Sequence, residues 1–146
     1  MKNALRVLYG GLVWILFADL VLQFYFAGYG VFSPGRGDFR FHAVNANVLG
    51  LLMLAVLLVA VIASILRVIP WTTTLQHVLL PILLIGQIVL FILDEALGGT
   101  EQHPVSWLLG LHAVNGLLIL LLTLRLGILA VRRPRPMQPP ASAATR

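Results

Sequence analysis

Four long apolar runs constrain this chain more than any other feature. They cover about residues 5–27, 41–69, 72–93 and 105–131. A helix of about 20 apolar residues crosses the roughly 30 Å of bilayer hydrocarbon. Within hydrocarbon every backbone N–H and C=O must find a partner in the protein, so runs of this length fold as helices. Composition agrees. Only 10% of the residues are charged and 60% are hydrophobic, whereas a soluble domain carries about a quarter charged residues. Ser33-Pro34-Gly35 with Gly37, then Pro70, then Gly98-Gly99 with Pro104 punctuate the runs. Asp38 and Thr72 are the expected N-caps of the second and third helices. The expected fold class is all-α, a transmembrane four-helix bundle made of two similar helical hairpins.

Charge predicts the orientation. Lys2, Arg6, Arg67, Arg132, Arg133 and Arg135 fall on one side, and Asp38, Asp94, Glu95 and Glu101 on the other. The positive-inside rule places both termini in the cytoplasm of a bacterial or archaeal cell, with the chain in its inner membrane. Lys2 and Arg6 before an apolar run resemble a signal peptide. Asp19 interrupts that run and no small-x-small cleavage site follows, so the first span is expected to be retained. Residues 1–133 are the expected bundle. Residues 134–146, rich in Pro, Ala and Ser, are expected to be a disordered cytoplasmic tail. The net charge of +5 sits at the span ends, which is a membrane-surface pattern and not a nucleic-acid one. The absence of cysteine excludes disulfides and thiolate metal sites.

The polar residues inside the runs repeat. His42-Ala43-Val44-Asn45 in the second span returns as His112-Ala113-Val114-Asn115 in the fourth, and Gln23 in the first is echoed by Gln87 in the third. Two hairpins place the second and fourth helices parallel. Counted at 1.5 Å per residue, His42 lies roughly 37 Å above Arg67 and His112 roughly 30 Å above Arg132, levels that modest tilt would equalise. His77 lies only about 10 Å above the basic floor.

Two histidines at one level on parallel helices suit the axial positions of a haem. Ala46 and Gly116 follow them by one turn and Gly50 by two, which leaves shallow surface for the macrocycle. Arg36 and Arg40 are the expected propionate partners. Gln23, Gln87, Asn45 and Asn115 are expected to orient the imidazoles or to bond between helices. His77 reads as an interfacial or helix-packing residue and His103 as a solvated loop residue. Asp19 reads as either a neutral, hydrogen-bonded group or a participant in proton movement. Arg125 can reach the cytoplasmic surface without any further task.

The segment from Gln87 through Leu97-Gly98-Gly99-Thr100 to Leu111-His112, together with His42, resembles one four-helix half of a haem A synthase. The pattern also resembles small four-span bacterial membrane proteins with the same histidines. The first resemblance implies a haem held by the second and fourth helices near the outer face. This chain has a single half, lacks the outer-loop cysteines, and has Asp38 where a glutamate one turn before His42 would stand. These departures speak against haem A synthesis more than against haem binding.

The expected function is therefore a small, non-enzymatic b-type cytochrome-like protein with haem b between His42 and His112, for electron transfer or haem handling. A redox partner, a quinone, a second membrane subunit or a second copy would complete an electron path. Two other readings are a haem-free structural or assembly subunit and a small proton or solute transporter. Phosphate loops, nucleophile elbows and zinc-helix motifs are absent from the sequence.

Overall fold

A computed structural model describes residues 2–33, 38–100 and 105–132. It contains four helices: α1 (Lys2–Phe32), α2 (Arg40–Ile65), α3 (Trp71–Ala96) and α4 (Ser106–Val131). All four are long and apolar enough to cross a membrane. The shortest have 26 residues, about 39 Å of helix against roughly 30 Å of hydrocarbon. Arg36, His103, Glu101, Arg133, Arg135 and the expected tail lie outside the described residues.

Each helix packs on two neighbours. α1 and α3 both contact α2 and α4, while the diagonal pairs α1/α3 and α2/α4 do not touch through their backbones. This is an up-down-up-down square, the four-helix bundle expected. Tyr9, Val13, Leu16, Leu49, Met53, Val56, Leu80, Ile119 and Leu126 are buried in the centre. The outside is just as apolar, with Leu51, Leu58, Leu75, Ile85 and Val131 all exposed. A helix that is hydrophobic all round suits lipid on one side and protein on the other.

The internal repeat extends to the core. Buried Tyr9, Gly10, Val13 and Leu16 of α1 correspond to buried Thr73, Thr74, His77 and Leu80 of α3, shifted by 64 positions. Buried Leu49, Met53 and Val56 of α2 correspond to Ile119, Thr123 and Leu126 of α4, shifted by 70. The same face of each helix points inward in both hairpins.

The helix ends differ from expectation. α2 starts at Arg40 after Phe39, with no side-chain cap. Asp38 Oδ1 does accept the Arg40 backbone N–H, at 3.3 Å, and its carboxylate also takes two hydrogen bonds of 2.9 Å from the Arg40 guanidinium. Thr72 falls inside the first turn of α3, because Pro70, whose fixed φ and missing N–H suit a helix entry, stands just before Trp71. α2 ends at Ile65 and not at 69. There Val68 donates to the Ala63 carbonyl at 2.7 Å and Arg67 to the Ser64 carbonyl at 3.0 Å. This is a Schellman stop, and it puts Arg67 in the left-handed region at φ 56°. α3 ends in the same motif with Gly98 at φ 83°. Arg67 takes a conformation that costs an L side chain about 1 kcal/mol and costs glycine nothing.

Candidate functional site

His42 sits in the first turn of α2 and His112 two turns into α4. The two helices are diagonal partners, so side chains alone bridge the gap between them. The His42 and His112 rings meet there, with centroids 6.2 Å apart and planes inclined by 51°. The difference of about 7 Å in their counted heights is thus absorbed by the packing.

A pair of matched hydrogen-bond sets surrounds the rings. Gln23 Nε2 donates to the His42 carbonyl at 3.0 Å, and Gln87 Nε2 donates to the His112 carbonyl at 3.1 Å. Asn45 Nδ2 donates to the Asp19 carbonyl at 3.4 Å, and Asn115 Nδ2 donates to the Leu83 carbonyl at 2.8 Å. These are equivalent atoms in the two hairpins. Both glutamine side chains thus bond the histidine backbone and not the ring, and both asparagines tie adjacent helices together.

The two halves differ in detail. His42 Nδ1 lies 3.2 Å from the Gln23 carbonyl oxygen, which fixes the ring and leaves Nε2 as its other nitrogen. His112 Nδ1 is buried with no hydrogen-bond partner among the described residues, as is Gln87 Oε1. Asn45 Nδ2 also donates to Gln23 Oε1 at 2.9 Å. Asp19 stands where the other hairpin has Leu83, and its buried Oδ2 has no partner among the described residues.

Aromatic rings close the sides. Phe91 meets the His112 ring edge-on at 4.8 Å, and Phe39 meets His42 at 6.3 Å. A cavity of about 10 Å³ lies beside His112, bordered by Phe91, Asp94 and Leu108. The small residues expected to leave open surface are covered from the neighbouring helices. A methyl group on Gly116 would lie 3.2 Å from Gln87 Nε2 and 3.4 Å from the Phe24 ring, and one on Gly50 would lie 3.5 Å from Leu84. Ala46 is half-buried. Arg40 is spent on Asp38, whose carboxyl is thereby held below the ordinary aspartate range.

His77 belongs to a separate place. It is buried, and its Nε2 lies 2.8 Å from the Tyr9 hydroxyl. It is a helix-packing residue. Tyr9, Phe24 and the Gln23 carbonyl escaped sequence reasoning. Phe91 was within its reach, since it lies four residues beyond Gln87 on the same helical face.

Among the described residues, no three His, Cys, Asp or Glu side chains gather to hold a bare metal ion. No family model matches the chain, and no curated protein or solved structure is significantly similar to it.

Proposed function

We propose that this chain is a multi-pass membrane protein that holds one haem b between His42 and His112, as an electron-transfer or haem-handling protein. One observation carries the reading: two histidines from diagonal, parallel helices face each other 6.2 Å apart. Two metal–nitrogen bonds of about 2 Å, plus roughly 1 Å from each bonded nitrogen to its ring centre, total about 6 Å. The matched glutamine and asparagine bonds support it, because they fix the backbone under both histidines at the same level.

In this reading the Gln23 carbonyl holds His42 Nδ1 as a donor and turns Nε2 toward the centre. Fixing the second ring nitrogen in this way sets tautomer and basicity. When bound, haem would supply one-electron chemistry there, held by His42 and His112. Phe24 and Phe91 must yield space at the edges. Both are exposed at the outer surface of the bundle, so their rings can swing outward into lipid. Propionate binding falls to Arg36 and to Arg40 if the latter exchanges Asp38 for a propionate. The orientation proposed from the charges, with both termini cytoplasmic, puts this site near the outer face of a bacterial or archaeal inner membrane. A quinone, a redox protein, a second subunit or a second copy would then exchange electrons with it.

A haem-free structural subunit is the second reading. It is favoured by the same Gln23, Gln87, Asn45 and Asn115 bonds, which are interhelical ties in their own right. The absorption spectrum of detergent-purified protein, made with ample haem, separates the two. The first reading expects sharp low-spin bands on reduction, lost in His42→Ala and in His112→Ala and kept in His77→Gln. A wild-type protein without haem would refute it in favour of the structural reading.

A further inference from the structure

We propose that the α2–α3 turn is a binding site for the headgroup of an anionic phospholipid. The turn borders an open cavity of about 640 Å³, lined by Ser64, Ile65, Arg67, Ile69, Pro70 and Trp71.

Two guanidinium groups converge on this turn. Arg67 projects from it directly, exposed, and its guanidinium has no hydrogen bond or ion pair among the described residues. Arg6 reaches across from α1 and donates to the Val68 carbonyl at 3.2 Å. The described carboxylates offer no compensation. Asp19 is midway along α1, and Asp38, Asp94 and Glu95 belong to the opposite end of the bundle. Arg125, near the same end, is turned to the neutral Gln76 Oε1 at 2.8 Å. The turn is therefore a site of uncompensated positive charge at the depth where helices leave the hydrocarbon, and phosphate is its complement.

The backbone gives an independent reason to assign Arg67 a task. The corresponding stop of α3 uses Gly98 for the left-handed position, and here an arginine occupies it at φ 56°. A glycine would satisfy the turn with less strain, so the side chain serves something other than the turn.

The surroundings favour a lipid over free phosphate. From the cavity, Leu58, Ile62 and Ile65 run as an exposed stripe along α2, and Trp71, Leu75 and Val78 along α3. The spacings of three and four residues keep each stripe on one face. The two stripes begin at the cavity wall and extend toward the bundle middle, where acyl chains would lie. Trp71 sits at the boundary level preferred by its amphipathic ring.

The test is native mass spectrometry of the full chain in micelles containing equal phosphatidylglycerol and phosphatidylcholine with the same acyl chains. The expected result is selective retention of phosphatidylglycerol, about twenty-five-fold for two basic groups at about fivefold each. Arg67→Gln and Arg67→Gly should each lose about fivefold, while Arg67→Gly melts no lower than wild type because it relieves the turn. Equal retention of the two lipids, or unchanged selectivity in both Arg67 variants, would overturn the proposal. Complete displacement by millimolar inorganic phosphate would overturn it in favour of a free-phosphate site. None of these readouts depends on haem.

Discussion

Tyr9 and His77 form the most deeply buried polar contact in the bundle, and a double-mutant cycle on them tests the packing directly. Tyr9 is 0% exposed and His77 1%. Their hydrogen bond is 2.8 Å long, and the rings meet edge to face at 5.5 Å. Tyr9→Phe keeps the ring and removes the hydroxyl. His77 Nδ1 already lacks a partner among the described residues, so this variant leaves both ring nitrogens unmatched. An unpaired buried polar group costs about 1–3 kcal/mol. His77→Leu similarly strands the Tyr9 hydroxyl but removes the unpaired Nδ1, so its net cost should be smaller, about 0–2 kcal/mol. The double variant has no stranded group at this contact. It should lie well below the sum of the singles, with a coupling of about 1–2 kcal/mol. Reversible unfolding in mixed micelles, or steric trapping in bicelles, measures all three. Additive singles would refute the buried pair, and stability losses below about 0.3 kcal/mol in both singles would place these residues at a wet surface instead.

Gly99→Ala should destabilise the outer end of the α3–α4 hairpin by about 1–3 kcal/mol. An added methyl group would collide with the Asp94 carboxylate, which accepts the Val105 N–H at 2.7 Å and so anchors the entry to α4. Hydrogen exchange at the start of α4 should rise, and unchanged protection there would count against that anchor. Replacing Arg36 and Arg40 together with glutamine should lower the midpoint potential of the proposed haem or weaken its retention, because two lost positive charges disfavour the reduced state. Redox titration that finds neither change would remove both arginines from the site.

The architecture was legible because it rests on run length and breakers, both of which are local. Pro70 and the Gly98-Gly99 pair marked two of the turns, and apolar runs marked the helices. Helix ends were less legible. Asp38 looked like a cap and does accept the Arg40 N–H, but the sequence did not show that its shorter bonds go to the Arg40 guanidinium, a charge-assisted partner. The end of α2 was hidden because a left-handed Arg67 has no sequence signature, whereas Gly98 does. At the candidate site, the repeated His-Ala-Val-Asn segment was enough to pair His42 with His112. The targets of Gln23 and Gln87 were not legible, since an amide can reach a ring or a carbonyl equally well. Nor was the covering of Gly116 by Phe24, which depends on the rotation of α1 against α4.

The duplication gives a way to decide between the remaining functions. Where the two hairpins match in polar chemistry, they do so at one end only, through Gln23 and Gln87, His42 and His112, Asn45 and Asn115. Toward the other end the correspondence in burial persists while the chemistry diverges, with Val13 opposite His77 and Tyr9 opposite Thr73. Between these regions the centre is closed by Val13, Leu16, Met53, Val56 and Leu80, each at most 1% exposed. A transporter or proton conductor needs polar groups or water along its length, and unpaired ions in such a core are expensive. That stretch is apolar but for buried Thr123, whose hydroxyl is tied to the Ile119 carbonyl at 2.9 Å. A function confined to the end that holds the histidine pair agrees with it. The symmetry there is geometric and not electrical. Asp19 lies on the His42 side and Leu83 on the His112 side, and among the described residues only the His42 Nδ1 has a partner. The two histidines of the proposed site would thus sit in unequal surroundings, even though loss of either is expected to remove the haem.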